Sequence, residues 1–100
     1  MSSYSVYVRP QAWQEGKHLP GNMRQRIKRA IDDLETAPRP SNGKRLQIAD
    51  SVLELWRLRL DDWRVVYAIA EELQQIQVLT IRQRPPYDYG DLDELLKDLS

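Results

Sequence analysis

Five arginines and two tyrosines, confined to two short stretches, carry the chemistry this chain can offer. The first stretch, WRLRLDDWRVVY (Trp56–Tyr67), holds Arg57, Arg59 and Arg64. The second, TIRQRPPYDYG (Thr80–Gly90), holds Arg82, Arg84, Tyr87 and Tyr89. Guanidinium forks match phosphate oxygens bidentately and stay protonated at any working pH. An aromatic ring beside them can stack on a base while the cations hold its phosphates. The pattern points to a nucleic-acid backbone and to electrostatic support for chemistry at phosphorus. A structural reading competes with it: arginines on a wet sheet face, paired to nearby carboxylates, with tyrosines covering the edge of the core.

The rest of the inventory narrows the choice. There is no cysteine, so no disulfide framework and no thiolate metal site, which fits a reducing cytoplasm. The sequence offers no motif for a metal or a cofactor. The sole histidine, His18, lies far from both arginine stretches, in what reads as an inter-helix loop, so a histidine-based ribonuclease mechanism is excluded. No signal peptide is visible at the N-terminus, and no stretch approaches the ~18 apolar residues of a membrane span. These features predict a soluble, cytoplasmic protein. Net charge is zero, but from Asp88 to Ser100 five acids face one base. Setting that tail aside, the 15 bases fall to 14 and the 15 acids to 10, leaving a basic body that suits an anionic partner.

The elements that must position these groups read as one small α+β domain spanning residues 1–100. SVYVR (Ser5–Arg9) alternates like a strand, and Pro10 suits the first position of a short helix over PQAWQEGKHL. From Pro20 to Ala37, Met23, Ile27, Ile31 and Leu34 recur at spacings of four, four and three, one apolar stripe of a longer helix. APRPSNGK reads as a loop. Strands follow at Val52–Leu60, Trp63–Ala70 and Gln75–Arg84, and DLDELLKDL closes the chain as a helix with Leu92, Leu95, Leu96 and Leu99 on one side. A helical pair packed on one face of a small antiparallel sheet leaves the other face open, at least in part, to water or a ligand.

With Asp61 and Asp62 as a two-residue hairpin loop, Leu60 faces Trp63, Arg59 faces Arg64, Leu58 faces Val65 and Arg57 faces Val66. Alternation then puts Trp56, Leu58, Leu60, Trp63, Val65 and Tyr67 on the core side, and all three arginines on the other. Like charges placed directly across a ladder are unfavourable by a few tenths of a kcal/mol. An anion shared among them would relieve that.

LWRLRLDDWRVVY and VLTIRQRPPY resemble the two signature segments of the RelE/ParE superfamily, the toxins of type II toxin–antitoxin pairs. LPGNMRQRIKRAIDDLETAPRP resembles that family's second helix and the loop after it, so the resemblance runs from about Tyr4 to Tyr87. It implies a RelE-like fold. For the RelE branch it implies a metal-independent mRNA interferase that cuts messenger RNA in the ribosomal A site. In such enzymes the 2′-hydroxyl attacks the adjacent phosphate, leaving a 2′,3′-cyclic phosphate and a 5′-hydroxyl. Carried onto this sequence, the resemblance makes Arg57, Arg59, Arg64, Arg84 and Tyr87 the catalytic set. Arg82, Tyr89 and Arg45 are expected to bind RNA beside them. Arg84 would assist the leaving oxygen and Tyr87 would stack on a base.

Departures from the pattern leave a second branch open. Arg57 and Arg59 stand where lysine is frequent, and arginine is a poor general base. Gln83 stands where many relatives have histidine. Glu54 is a candidate base, although its strand parity matches the core face. The alternative is a ParE-like toxin that binds and inhibits DNA gyrase without cutting RNA. Either branch implies a small cognate antitoxin protein, and the ribonuclease branch adds the ribosome with mRNA in its A site. Neither implies a membrane or a small-molecule cofactor. The acidic C-terminal helix is expected to cover part of the basic groove and to be displaced on binding.

Overall fold

A computed structural model describes residues 3–48 and 53–97. Its element order is β1 (Ser5–Val8), α1 (Pro10–Lys17), α2 (Gly21–Asp33), β2 (Gly43–Leu46), β3 (Glu54–Leu60), β4 (Trp63–Ala70), a short 3₁₀ turn, β5 (Gln75–Gln83) and α3 (Leu92–Lys97). The strands form one sheet in the order β1-β5-β4-β3-β2. The α+β layering expected from the sequence is present. Within the sheet, β1 joins β5 in parallel and the other three pairs are antiparallel.

Periodicity explains the helical layer. Met23, Ile27 and Ile31 on α2, followed by Leu34, bury one stripe against the sheet face made by Leu58, Leu60, Val65, Tyr67, Ile69, Ile76, Val78 and Ile81. Pro10 opens α1, where its missing N–H leaves nothing unsatisfied. The long helix stops at Asp33, four residues short of the expected Ala37, and turns follow to Thr36. The strand expected from Val52 begins at Glu54; Val52 itself, like Leu99 of the last helix, lies outside the described residues.

One expectation is corrected outright. The end of APRPSNGK is not loop, because Gly43 and Lys44 begin the edge strand β2. Four residues reading GKRL show no apolar alternation; hydrogen bonding to β3 makes them a strand. The hairpin register, by contrast, is the expected one, with Arg59 opposite Arg64 and Leu60 opposite Trp63. Asp61 takes the left-handed conformation, φ 55°, at the first loop position, which aspartate tolerates better than most residues. Its carboxylate is held by Arg26 of α2 at 2.6 Å, tying the hairpin tip to the helical layer.

The second sheet face is only partly open. Leu55, Val66, Ala68 and Leu79 form a second apolar cluster there, covered by Tyr87 and by Leu95 of α3. The Arg9 guanidinium donates to the Leu95 carbonyl at 3.0 Å and helps hold that cover in place.

Candidate functional site

The arginines gather at the uncovered end of this second face. Across three adjacent strands the ladder sets Arg59 beside Arg64 and Arg64 beside Arg82, making one row. Arg57 lies one row further along, opposite Val66 and flanked on the other side by Lys44 of β2.

A β-bulge completes the row. Tyr67 pairs with Val78 while Val66 pairs with Thr80, so Leu79 is an extra residue in β5. Counting by twos from Ile76 and Val78, Arg82 would fall on the helix-covered face. The extra residue reverses the parity, sending Ile81 into the main core and Arg82 to the arginine side.

Arg64 is the anchor of the row. Only 9% of it is exposed, and its Nη1 donates at 2.9 Å to the carbonyls of Asp61 and Trp63. Its Nε is buried without a partner. No carboxylate among the described residues pairs with Arg57, Arg59 or Arg64. A buried guanidinium without a counter-charge is costly, and an anion arriving at the row lowers that cost.

Arg82 is treated differently. It pairs with Glu15 of α1, approaches Asp91 at 3.7 Å, and lies over the Tyr87 ring with Cζ 5.3 Å from the centroid. Burial opposes its charge, but the Glu15 and Asp91 carboxylates outweigh that and raise its pKa. The Tyr87 hydroxyl donates to Asp91 Oδ1 at 2.6 Å. Burial first, and this bond second, push the Tyr87 phenol well above its ordinary value, so it stays neutral and cannot serve as a base. Arg84 lies over Tyr89, with Cζ 5.1 Å from the ring centroid, and the two tyrosine rings meet edge to face at 4.9 Å. Tyr89 carries φ 64°, an unusual conformation for an aromatic residue, and its hydroxyl is buried with no partner.

Of the residues singled out in the sequence, Arg57, Arg59, Arg64 and Arg82 share the face, and Arg84, Tyr87 and Tyr89 adjoin its end. Arg45 does not join them: it pairs with Trp56, whose side chain packs into the helix-covered core. Its neighbour Lys44 takes the position on the arginine face, which could be read only by knowing that β2 is a strand. Glu54 is on the helix-covered side, bonded to Arg39 and the Trp56 indole N–H. The Arg39 hydrogen bond, followed in weight by opposing burial, leaves its pKa below the usual carboxylate range. It does not reach the row. Glu15 and Asp91, the carboxylates that do, had no signal in the sequence, since they come from distant helical and loop segments. Among the described residues, no group of His, Asp or Glu side chains is arranged to hold a metal ion.

A model of the family described as "ParE toxin of type II toxin-antitoxin system, parDE" matches residues 6–85. The chain belongs to the RelE/ParE superfamily. It is a toxin of a type II toxin–antitoxin system. Solved structures resemble this toxin closely in shape. The RelE–RelB complex of the archaeon Pyrococcus horikoshii matches with TM-score 0.74 and 28% identity over 84% of this chain and 98% of that one. The isolated E. coli RelE toxin matches with TM-score 0.67 and 18% identity over 97% and 99% of the two chains. The RelB–RelE complex of Methanococcus jannaschii gives 0.63 and 21% over 84% and 98%. At the lower identities the likeness is one of fold. Among curated protein sequences none matches the toxin.

Proposed function

We propose that this toxin is a RelE-type, metal-independent endoribonuclease that cuts mRNA in the A site of the ribosome, stopping translation and growth. The observation that carries the reading is Arg64, a buried guanidinium with no counter-charge among the described residues, in a row with Arg59 and Arg82. Such a row binds a backbone phosphate and favours the dianion that develops when the 2′-hydroxyl attacks it. The bond from phosphorus to the 5′-oxygen breaks as the bond to the 2′-oxygen closes the 2′,3′-cyclic phosphate. The 2′-hydroxyl proton passes to solvent water, and the leaving oxygen, hydrogen-bonded by Arg84, takes a proton from water to become the 5′-hydroxyl. Arg57 and Lys44 extend the cationic floor along the strand. The translating ribosome as target places the toxin in the cytoplasm.

The C-terminal segment is part of this reading. Tyr87 is 9% exposed, beneath Arg82 and beside Tyr89, so stacking on a base requires residues 88–97 to move. We assign the toxin a cognate antitoxin that exploits the same mobility by displacing α3. Truncation after Tyr89 is expected to change antitoxin affinity or toxicity; no change in either overturns that assignment.

The ParE-type reading, inhibition of DNA gyrase without RNA cleavage, is favoured by one feature. Among the described residues no histidine stands on the arginine face to activate the 2′-hydroxyl, and the two carboxylates that reach the row, Glu15 and Asp91, are engaged by Arg82 and Tyr87. Primer-extension mapping after induction separates the two. Cuts within translated codons that vanish in Arg84→Ala support the ribonuclease. Whole messages together with inhibited supercoiling overturn it.

A further inference from the structure

Glu15 stands on α1, outside the row, yet its carboxylate binds three groups of β5. Because β1 pairs with β5 only as far as Val78, the β5 edge beyond that point has no strand beside it. There Glu15 Oε1 accepts from the Ile81 N–H at 3.0 Å and from the Thr80 hydroxyl at 2.6 Å. Its other oxygen takes the Arg82 Nε–H. Closing the strand edge needs only one neutral acceptor, which an amide would supply. The carboxylate adds a charged second oxygen aimed at Arg82, which stands beside the like-charged Arg64 on the ladder and has a tyrosine ring beneath it.

We propose that Glu15 is a positioning residue for RNA cleavage: it locks the Arg82 guanidinium in one orientation within the Arg59–Arg64–Arg82 row and, through it, fixes the Tyr87 ring. This rests on the ribonuclease reading above. Glu15 presents both oxygens to the protein and acts through Arg82. Three bonds in three directions leave the carboxylate no freedom to turn. Fixing Nε in this way leaves the terminal amines of Arg82 to Asp91 and to an incoming phosphate. Without the Glu15 charge, repulsion from Arg64 drives Arg82 off the row, and the Tyr87 ring loses its cover.

The test compares purified wild type with Glu15→Gln on ribosomes translating a defined mRNA, with kcat and KM determined separately. Glutamine keeps an acceptor for Ile81 and Thr80 and removes the charge from Arg82. The expected result is a kcat lower by about tenfold, within the range that misplacement alone produces. KM should stay within about twofold, as for a group that does not bind the substrate uniformly. The urea unfolding midpoint should not change. In an Arg82→Ala background the same substitution should add nothing, because its effect runs through Arg82. Unchanged kcat in Glu15→Gln, a loss that adds in full to that of Arg82→Ala, or a lowered midpoint with normal turnover each overturns the positioning role. A wild type that leaves the message whole overturns the ribonuclease reading and this role with it; cleavage shared equally by wild type and variant overturns the role alone.

Discussion

At the helix-covered side of the sheet, Arg39 lies between two carboxylates, its Nε 2.8 Å from Glu54 and its Nη2 2.6 Å from Glu71. The hydrogen bonds it donates to Glu54 and, next in weight, to Glu71 raise its pKa further. On the opposite face Arg64 is far more buried and has carbonyls around it but, among the described residues, no carboxylate. By solvation alone the more buried cation needs a counter-charge more. The molecule supplies one to the exposed arginine and withholds it from the buried one. Arg39 is part of what ties the chain together, joining the loop after α2 to β3 and to the turn before β5. Arg64 has no such tie among the described residues, and on the proposed reading an RNA phosphate supplies its counter-charge.

The sharpest way to break this contrast is to remove each arginine in turn. Arg64→Met and Arg84→Ala should each lower RNA cleavage by about a hundredfold or more, the loss typical of removing one donor to a developing oxyanion. Arg64→Met should nevertheless be at least as stable as wild type in urea, since an apolar chain of similar length replaces an uncompensated charge. Arg39→Ala should do the reverse. It should cost about 1 kcal/mol of unfolding free energy, a partly exposed network being worth little more, and leave cleavage by the folded protein unaltered.

Acid titration sharpens the same point. Glu54 has a folded-state pKa held down by Arg39, so its stabilisation is complete above the ordinary carboxylate pKa and is lost as pH falls through the depressed folded value. The unfolding midpoint of wild type should therefore drop on acidification through and below the usual carboxylate range. Glu54→Gln and Arg39→Ala should flatten that limb, and Arg64→Met should leave it intact.

The smallest expected effect comes from neighbours on one strand. Lys44→Ala should weaken RNA binding several-fold and reduce its salt dependence by about one phosphate contact. Arg45→Ala, on the other face, should weaken it less. Equal losses at both positions would mean that the face of β2 does not matter.

Much of this arrangement was legible in the residues. The Trp56–Tyr67 hairpin declared its own register, because one parity is wholly apolar apart from a tyrosine hydroxyl, and the long helix declared its stripe. What alternation could not supply was the bulge at Leu79, which alone brings Arg82 onto the arginine face, since a single extra residue leaves no mark in a continuous apolar run. The strand Gly43–Leu46 was hidden for a related reason: an edge strand with two basic residues is made by its neighbour's hydrogen bonds. Glu15 and Asp91 reach the site from segments 67 and nine residues away from Arg82, respectively, in chain position. Contacts of that kind come from tertiary packing and carry no local signature.

The central claim is that Arg64 is kept without a counter-charge in order to bind RNA phosphate for cleavage. Its most direct test is to incubate wild type and Arg64→Met with ribosomes translating a defined message and to map the RNA ends. Cuts within A-site codons bearing 2′,3′-cyclic phosphate termini, made by wild type and lost in an Arg64→Met protein of undiminished stability, are the predicted result. Cuts that persist in Arg64→Met, or an uncut message with wild type, would contradict it.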